Sequence, residues 1–168
     1  MRIAWLVACV AAAPAAADEI PRNATSGLGL AAGLGSEVAG IGGEVLYYAE
    51  LGSGWRIVPR VGGGVLPSDD GTVGGVEAGI AGEWGARHRI LLDVSFGLAG
   101  IGSRKRVDTG EVVEVHPVYG PTIALGYEYV ADGGFLLRIS AGVTYVDSVY
   151  FTTHVGPAGT LALGYKLW

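Results

Sequence analysis

Three histidines and a set of alternating charges are the residues of this chain with chemistry to offer. His116 stands two positions from Glu114 on the same side of an extended segment, the spacing of a His–carboxylate pair. Ser95 or Ser140 would be the nucleophile that such a pair activates. Coincidence is the simpler account while no strand register joins them. His88 falls in a predicted tight turn and His154 in a predicted loop, where solvated rings are expected. Metal chemistry fares no better, because Cys9 is the one cysteine and no His-x-His spacing occurs. The expectation is no catalytic residue, no metal site and no cofactor.

The charges are more orderly. Glu44, Glu77, Glu83, Asp93 and Glu128, with Arg56, Arg60, Arg89, Arg138 and Lys166, all fall on one side of period-two segments. Five acids and five bases on one strand face suit an enclosed space, where a charge is costly unless paired. A balanced ion-pair ladder would fill that space; a gated pore is the functional alternative. Paired arginines are bulky and favour the filled reading.

The elements that must hold these charges are strands. Residues 89–99 show the pattern: Ile90, Leu92, Val94, Phe96 and Leu98 alternate with Arg89, Asp93, Ser95, Gly97 and Ala99, and Leu91 is the one break. Successive strand side chains point to opposite faces, so this segment is greasy on one side and small or charged on the other. The pattern recurs over 27–35, 39–49, 55–66, 75–84, 112–129, 135–145 and 159–168, giving eight strands. Pro59 interrupts the third, where a bulge would shift the parity of every later residue in that strand. Tight turns are expected near 50–54, 85–88 and 130–134. Longer loops are expected at 67–74, 102–111 and 147–157, with a short link at 36–38.

Composition fits strands that cross a membrane. Half of the chain is apolar, 30 of its 168 residues are glycine and 16% are charged, against roughly 25% for a soluble domain. Beyond the start, no apolar stretch is long enough for a transmembrane helix. A β-barrel explains the low charge, because only every second residue must be apolar. Residues 1–17 read as an export signal: Arg2, an apolar run, then Ala15-Ala16-Ala17 before a cut at Asp18. A lipoprotein box at Leu6-Val7-Ala8-Cys9 is the rival. The mature chain then has no cysteine and a formal charge of −6, with no basic patch for nucleic acid. Residues 18–26 read as a flexible lead-in and 27–168 as one domain.

Alternation alone leaves open which face is inside, and a soluble lipocalin-like barrel would bury the greasy one. The opposite face is Gly, Ala, Ser and Thr with scattered charge, a poor solvent surface but a good narrow lumen. Aromatics gather at strand ends: Tyr47, Trp55, Trp84, Tyr127, Tyr129, Phe135, Tyr165 and Trp168 by the tight turns, and Tyr119, Tyr145, Tyr150 and Phe151 by the long loops. These are two interfacial girdles.

With its export signal, eight amphipathic strands and terminal Gly164-Tyr165-Lys166-Leu167-Trp168, the chain resembles the small eight-stranded outer-membrane β-barrel proteins of double-membraned bacteria, of the OmpX and OmpA-barrel kind. The resemblance implies an all-β, antiparallel, up-and-down transmembrane barrel in the cell outer membrane. Its partners would be outer-membrane lipid, lipopolysaccharide and the insertion machinery, which reads a final aromatic. Trp168 departs from the parity of Leu161, Leu163, Tyr165 and Leu167. The resemblance also implies a structural or surface-interaction role through the external loops, with a monomer expected and a narrow channel as the alternative. Lipid A-modifying enzymes share the architecture, but no His-x-Ser pair occurs here. Arg104-Lys105-Arg106 could meet lipopolysaccharide phosphates.

Overall fold

The computed structural model describes residues 26–106, 108, 110, 112–148 and 151–167. Eight strands run in order: β1 (Gly27–Gly35), β2 (Gly40–Gly52), β3 (Trp55–Ser68), β4 (Gly71–Gly85), β5 (His88–Lys105), β6 (Val112–Val130), β7 (Phe135–Ser148) and β8 (Phe151–Lys166). Each pairs antiparallel with the next. β8 returns to β1, with Lys166 opposite Gly29 and Thr160 opposite Gly35, so the sheet closes into a ring without a free edge along these pairs.

The alternation sorts the two faces of the ring. Leu30, Val45, Val61, Ile80, Val94, Ile123, Ile139 and Leu161, one from each strand, are exposed on the outside. They meet across the ladders, Val45 facing Val61, Ile80 facing Val94 and Val94 facing Ile123, so the apolar surface is continuous. A water-soluble monomer rarely exposes more than a few hundred Å² of contiguous apolar surface. This belt runs right round the ring.

Pro59 does not shift the frame. The β3–β4 ladder runs through it in register, Pro59 opposite Ile80. The β2–β3 ladder skips from Leu46–Arg60 to Ala49–Ile57 and resumes unshifted. Proline removes a donor locally, yet parity survives because no residue is inserted. The irregularity of that ladder lies lower, between Glu50 and Gly52.

Two expectations about the strands need correction. The predicted loop at 67–74 is a hairpin, with Pro67 opposite Thr72 and Ser68 opposite Gly71. β5 likewise continues through 102–105 to pair with the start of β6, with Gly102 opposite His116. β7 and β8 run on to Ser148 and from Phe151. These segments lack a greasy face, so their alternation is silent in the sequence although the backbone stays paired. Leu98 is the second correction. It has outward parity but is 4% exposed, because the β5–β6 register shifts between Leu98 and Gly100. Such a bulge places two residues opposite one and re-aims a side chain.

Inside, the tight-turn end is apolar. Leu46, Tyr48, Val58, Ala81, Val130, Leu136 and Ala162 are buried in one cluster with Ala31. Leu91, the break in the β5 pattern, is also buried. Fully burying side chains of this size is worth about 1.5–3 kcal/mol each. At the other end the short β1–β2 link forms a single 3-10 turn, Ser36–Val38, folded into the lumen with Glu37 and Val38 buried.

Candidate functional site

All ten charges singled out in the sequence lie in the lumen, each no more than 4% exposed. Strand register explains how they meet. Arg89 is directly opposite Glu128, and Glu128 directly opposite Arg138, so three strands carry a cross-strand ladder of alternating sign. Arg138 reaches Glu83 at 2.8 Å and Glu128 at 2.9 Å, and Arg89 reaches Glu128 at 2.7 Å and Glu83 at 3.3 Å. Tyr48 donates its hydroxyl to Glu128 at 3.0 Å. The Tyr48 ring lies under both Arg89 and Lys166, at 5.2 and 4.9 Å from its centroid. Arg56 pairs with Glu50 at the edge of this layer.

A second layer centres on Arg60. Its guanidinium grips Asp93 with two hydrogen bonds of 2.8 and 2.7 Å, the fork geometry that makes arginine–carboxylate pairs strong. It also donates to Glu77 at 2.9 Å and lies 3.6 Å from Glu44. Glycines supply the room. Gly97 stands opposite Glu77 and Gly79 opposite Arg60. A Cβ on Gly97 would fall 2.5 Å from Glu77 Cβ.

Glu37 ties the two layers together, and the alternation could not find it because it sits in a turn. Its carboxylate accepts from Ser140 and lies 3.5 Å from Arg138. Its backbone N–H donates to Thr160 Oγ1 at 3.0 Å, and its carbonyl accepts from Arg60 at 3.0 Å. The signal that was available is the glycine-rich wall beside the turn. A Cβ on Gly62 would approach Glu37 O to 2.6 Å, and one on Gly64 would run into Val38 O. Those glycines are a seat for the turn.

The suspected catalytic set is not assembled. His116 lies opposite Gly102, whereas Ser95 lies opposite Thr122 and Ser140 opposite Gly126. Six residues along β6 separate His116 from the Ser95 level and ten from the Ser140 level, about 20 and 33 Å at strand rise. Ser140 is engaged with Glu37. His88 stacks near Tyr127 and Tyr129 at the tight-turn end and contacts the Tyr127 hydroxyl. The His154, Arg104 and Lys105 side chains, with Tyr150 and Trp168, lie outside the described residues. Among the described residues, no group of three His, Cys, Asp or Glu is arranged to hold a metal.

What the arrangement does is fill the lumen with opposed charge inside an apolar-belted ring. Glu44 is held by Arg60 through charge alone, since neither of its carboxylate oxygens takes a hydrogen bond. The N-terminal β-barrel domain of Pseudomonas aeruginosa OprF matches this chain with a TM-score of 0.54, over 84% of this chain and 98% of that one. Sequence identity is 13%. The likeness is one of fold. The Yersinia pestis outer membrane protein Ail aligns over 85% of this chain and 100% of its own, with a TM-score of 0.44 and 12% identity. No family model and no curated protein matches the chain.

Proposed function

We propose that this chain is a closed, non-enzymatic transmembrane β-barrel of the bacterial outer membrane, with a structural or surface-interaction role. The observation that carries the reading is the pairing of a continuous outward apolar belt with a lumen packed by the Arg60 and Arg138 networks. Only a lipid environment makes both faces favourable at once. The belt loses nothing there, and the charges are neutralised within the protein. The fold shared with the OprF barrel domain supports the same placement. Residues 1–17 would be a cleaved export signal and 18–26 a lead-in. The working form would be a monomer delivered by the insertion machinery.

The surface role falls to the hairpins that rise beyond the belt, chiefly β5–β6, where lipopolysaccharide or a foreign surface would be met. The strands of these hairpins stay paired beyond the belt, where loops are expected from the sequence. Fractionation tests the placement: the protein should sediment with outer-membrane vesicles and migrate differently on gels before and after heating. A soluble periplasmic protein would end the proposal. Cutting β5–β6 back to the Gly100–Val118 pair and closing it with Asn-Gly tests the role. Insertion should persist while adhesion or serum resistance falls; unchanged surface phenotypes would leave bulk membrane integrity as the function.

A further inference from the structure

The wall of the ring is uneven at the hairpin end. β1 stops at Gly35 and β2 begins at Gly40, while both neighbours climb further. β8 pairs with β1 only as far as Thr160, and its residues back to Phe151 have no β1 partner. β3 likewise passes Val65, its last β2 pair, and continues to Ser68. Between these edges is a notch three strand spacings wide, about 14 Å. Each edge carries a proline, Pro157 on β8 and Pro67 on β3, paired on its other side with Val143 and Thr72. Proline offers no N–H to recruit a strand. At these positions the notch resists closure by pairing.

Behind the notch lies a cavity of about 380 Å³, within the roughly 300–1,000 Å³ of small-molecule sites. Leu34 and Ile41 form its sill, Pro67 and Pro157 its sides, and Leu98 and Thr144 its inner wall. The sill residues are 55% and 51% exposed and belong to the outward belt, whereas Leu98 and Thr144 are 4% and 7% exposed. One space therefore joins the outer surface to the inside of the ring, up to β5, the strand opposite β1 in the ring order. No charged side chain is among its described lining. Ala39, Val73 and Leu98, with Leu66, Ile101 and Val115 packed against them, extend the apolar surroundings.

We propose that the notch is a lateral binding site for one hydrocarbon chain of a membrane lipid, admitted from the apolar belt into the mouth of the lumen. This rests on the belt being in lipid, as proposed above. Continuity with the belt selects the occupant: a chain sliding in over Leu34 and Ile41 meets no charged side chain among the described lining. A charged solute would meet no counter-charge in the cavity, whose lining takes Ser36 from the turn but neither Glu37 nor Val38.

The test uses the full barrel in nanodiscs made with a phospholipid that carries a photoreactive diazirine near the end of one acyl chain. After illumination, peptide mass spectrometry should find label on Leu98, Ala99 or Thr144 as well as on outward residues such as Leu163 and Ile139. Ala158→Trp, which fills the cavity from β8, should lower the inner label about tenfold and leave the outer label unchanged. Ala99→Phe, filling it from β5, is the second variant should the first not fold. Label confined to outward residues, or inner label indifferent to both fillers, overturns the inference. Absence of outward label would instead overturn the membrane reading itself.

Discussion

At the tight-turn end the lumen is packed by Leu46, Tyr48, Val58 and Leu136, topped by the Arg89–Glu128–Arg138 ladder. At the hairpin end, beyond the Ser36–Val38 turn, the wall is cut down over β1 and β2, and the ring holds a cavity and a bulge at Leu98. Below the turn, bulky side chains face one another across the ladders, as at Leu46–Arg60, Arg89–Glu128 and Glu128–Arg138, with Gly79 and Gly97 making room beside Arg60 and Glu77. Above it, a small apolar cluster of Ala39, Val73 and Leu98 borders the cavity. The difference separates two tasks: the lower lumen holds the ring together, and the upper mouth is free to be something else.

Substitutions can break that contrast or sharpen it. Arg138→Ala should have the largest effect, because it strands Glu83, Glu128 and Glu37 in a buried place. Losing one partner of a buried ion pair costs roughly 3–5 kcal/mol, measurable by urea unfolding in lipid vesicles. Arg60→Ala should be comparable. Next come two truncations that set the halves side by side. Leu136→Ala in the packed end should cost about 2–5 kcal/mol. Leu98→Ala, already bordering a cavity, should cost about 1 kcal/mol or less, since little new void is created. Equal costs would erase the distinction between the halves.

Gly62→Ala acts on the boundary between them. Its Cβ would press on Glu37 O at 2.6 Å, so the turn must lift from its seat. The parent barrel should show no discrete current steps in planar bilayers, and the variant should show them. A silent variant would mean that the charged layers alone seal the lumen. The smallest effect is expected at Arg87, whose pair with Asp132 is half exposed at the tight-turn rim. Arg87→Ala should cost about 0–1 kcal/mol and less at high salt.

The sequence made the charged layers legible because period two is a geometric rule: one residue in, one out, whatever the side chain. That rule located Arg60, Arg138 and their carboxylates without any knowledge of the register. It failed where the backbone leaves the rule. Glu37 lies in a turn between Gly35 (φ 127°) and Ala39 (φ 54°) and has no strand parity. Leu98 keeps its parity on paper but sits at a bulge. The hairpin extensions past Leu66 and Gly100 were unreadable for another reason, since strands that do not line an apolar belt need no greasy alternation. Adjacent apolar pairs such as Val45-Leu46, Tyr47-Tyr48 and Leu91-Leu92 did carry a message: a large residue on both faces marks where the lumen is packed with carbon.

The seam between β1 and β8 has consequences for time as well as for shape. It joins the two extremes of the described chain, and it is short, running only from Gly29–Lys166 to Gly35–Thr160. Every other ladder joins strands adjacent in sequence and can form by local zippering. This one must wait until the ends have been brought together, which makes ring closure the slow, entropy-limited event of assembly. The same seam should be the first to breathe once the protein is folded. In native-state hydrogen exchange, the β1 amides directed at β8 should lose protection ahead of those buried in the long β5–β6 ladder.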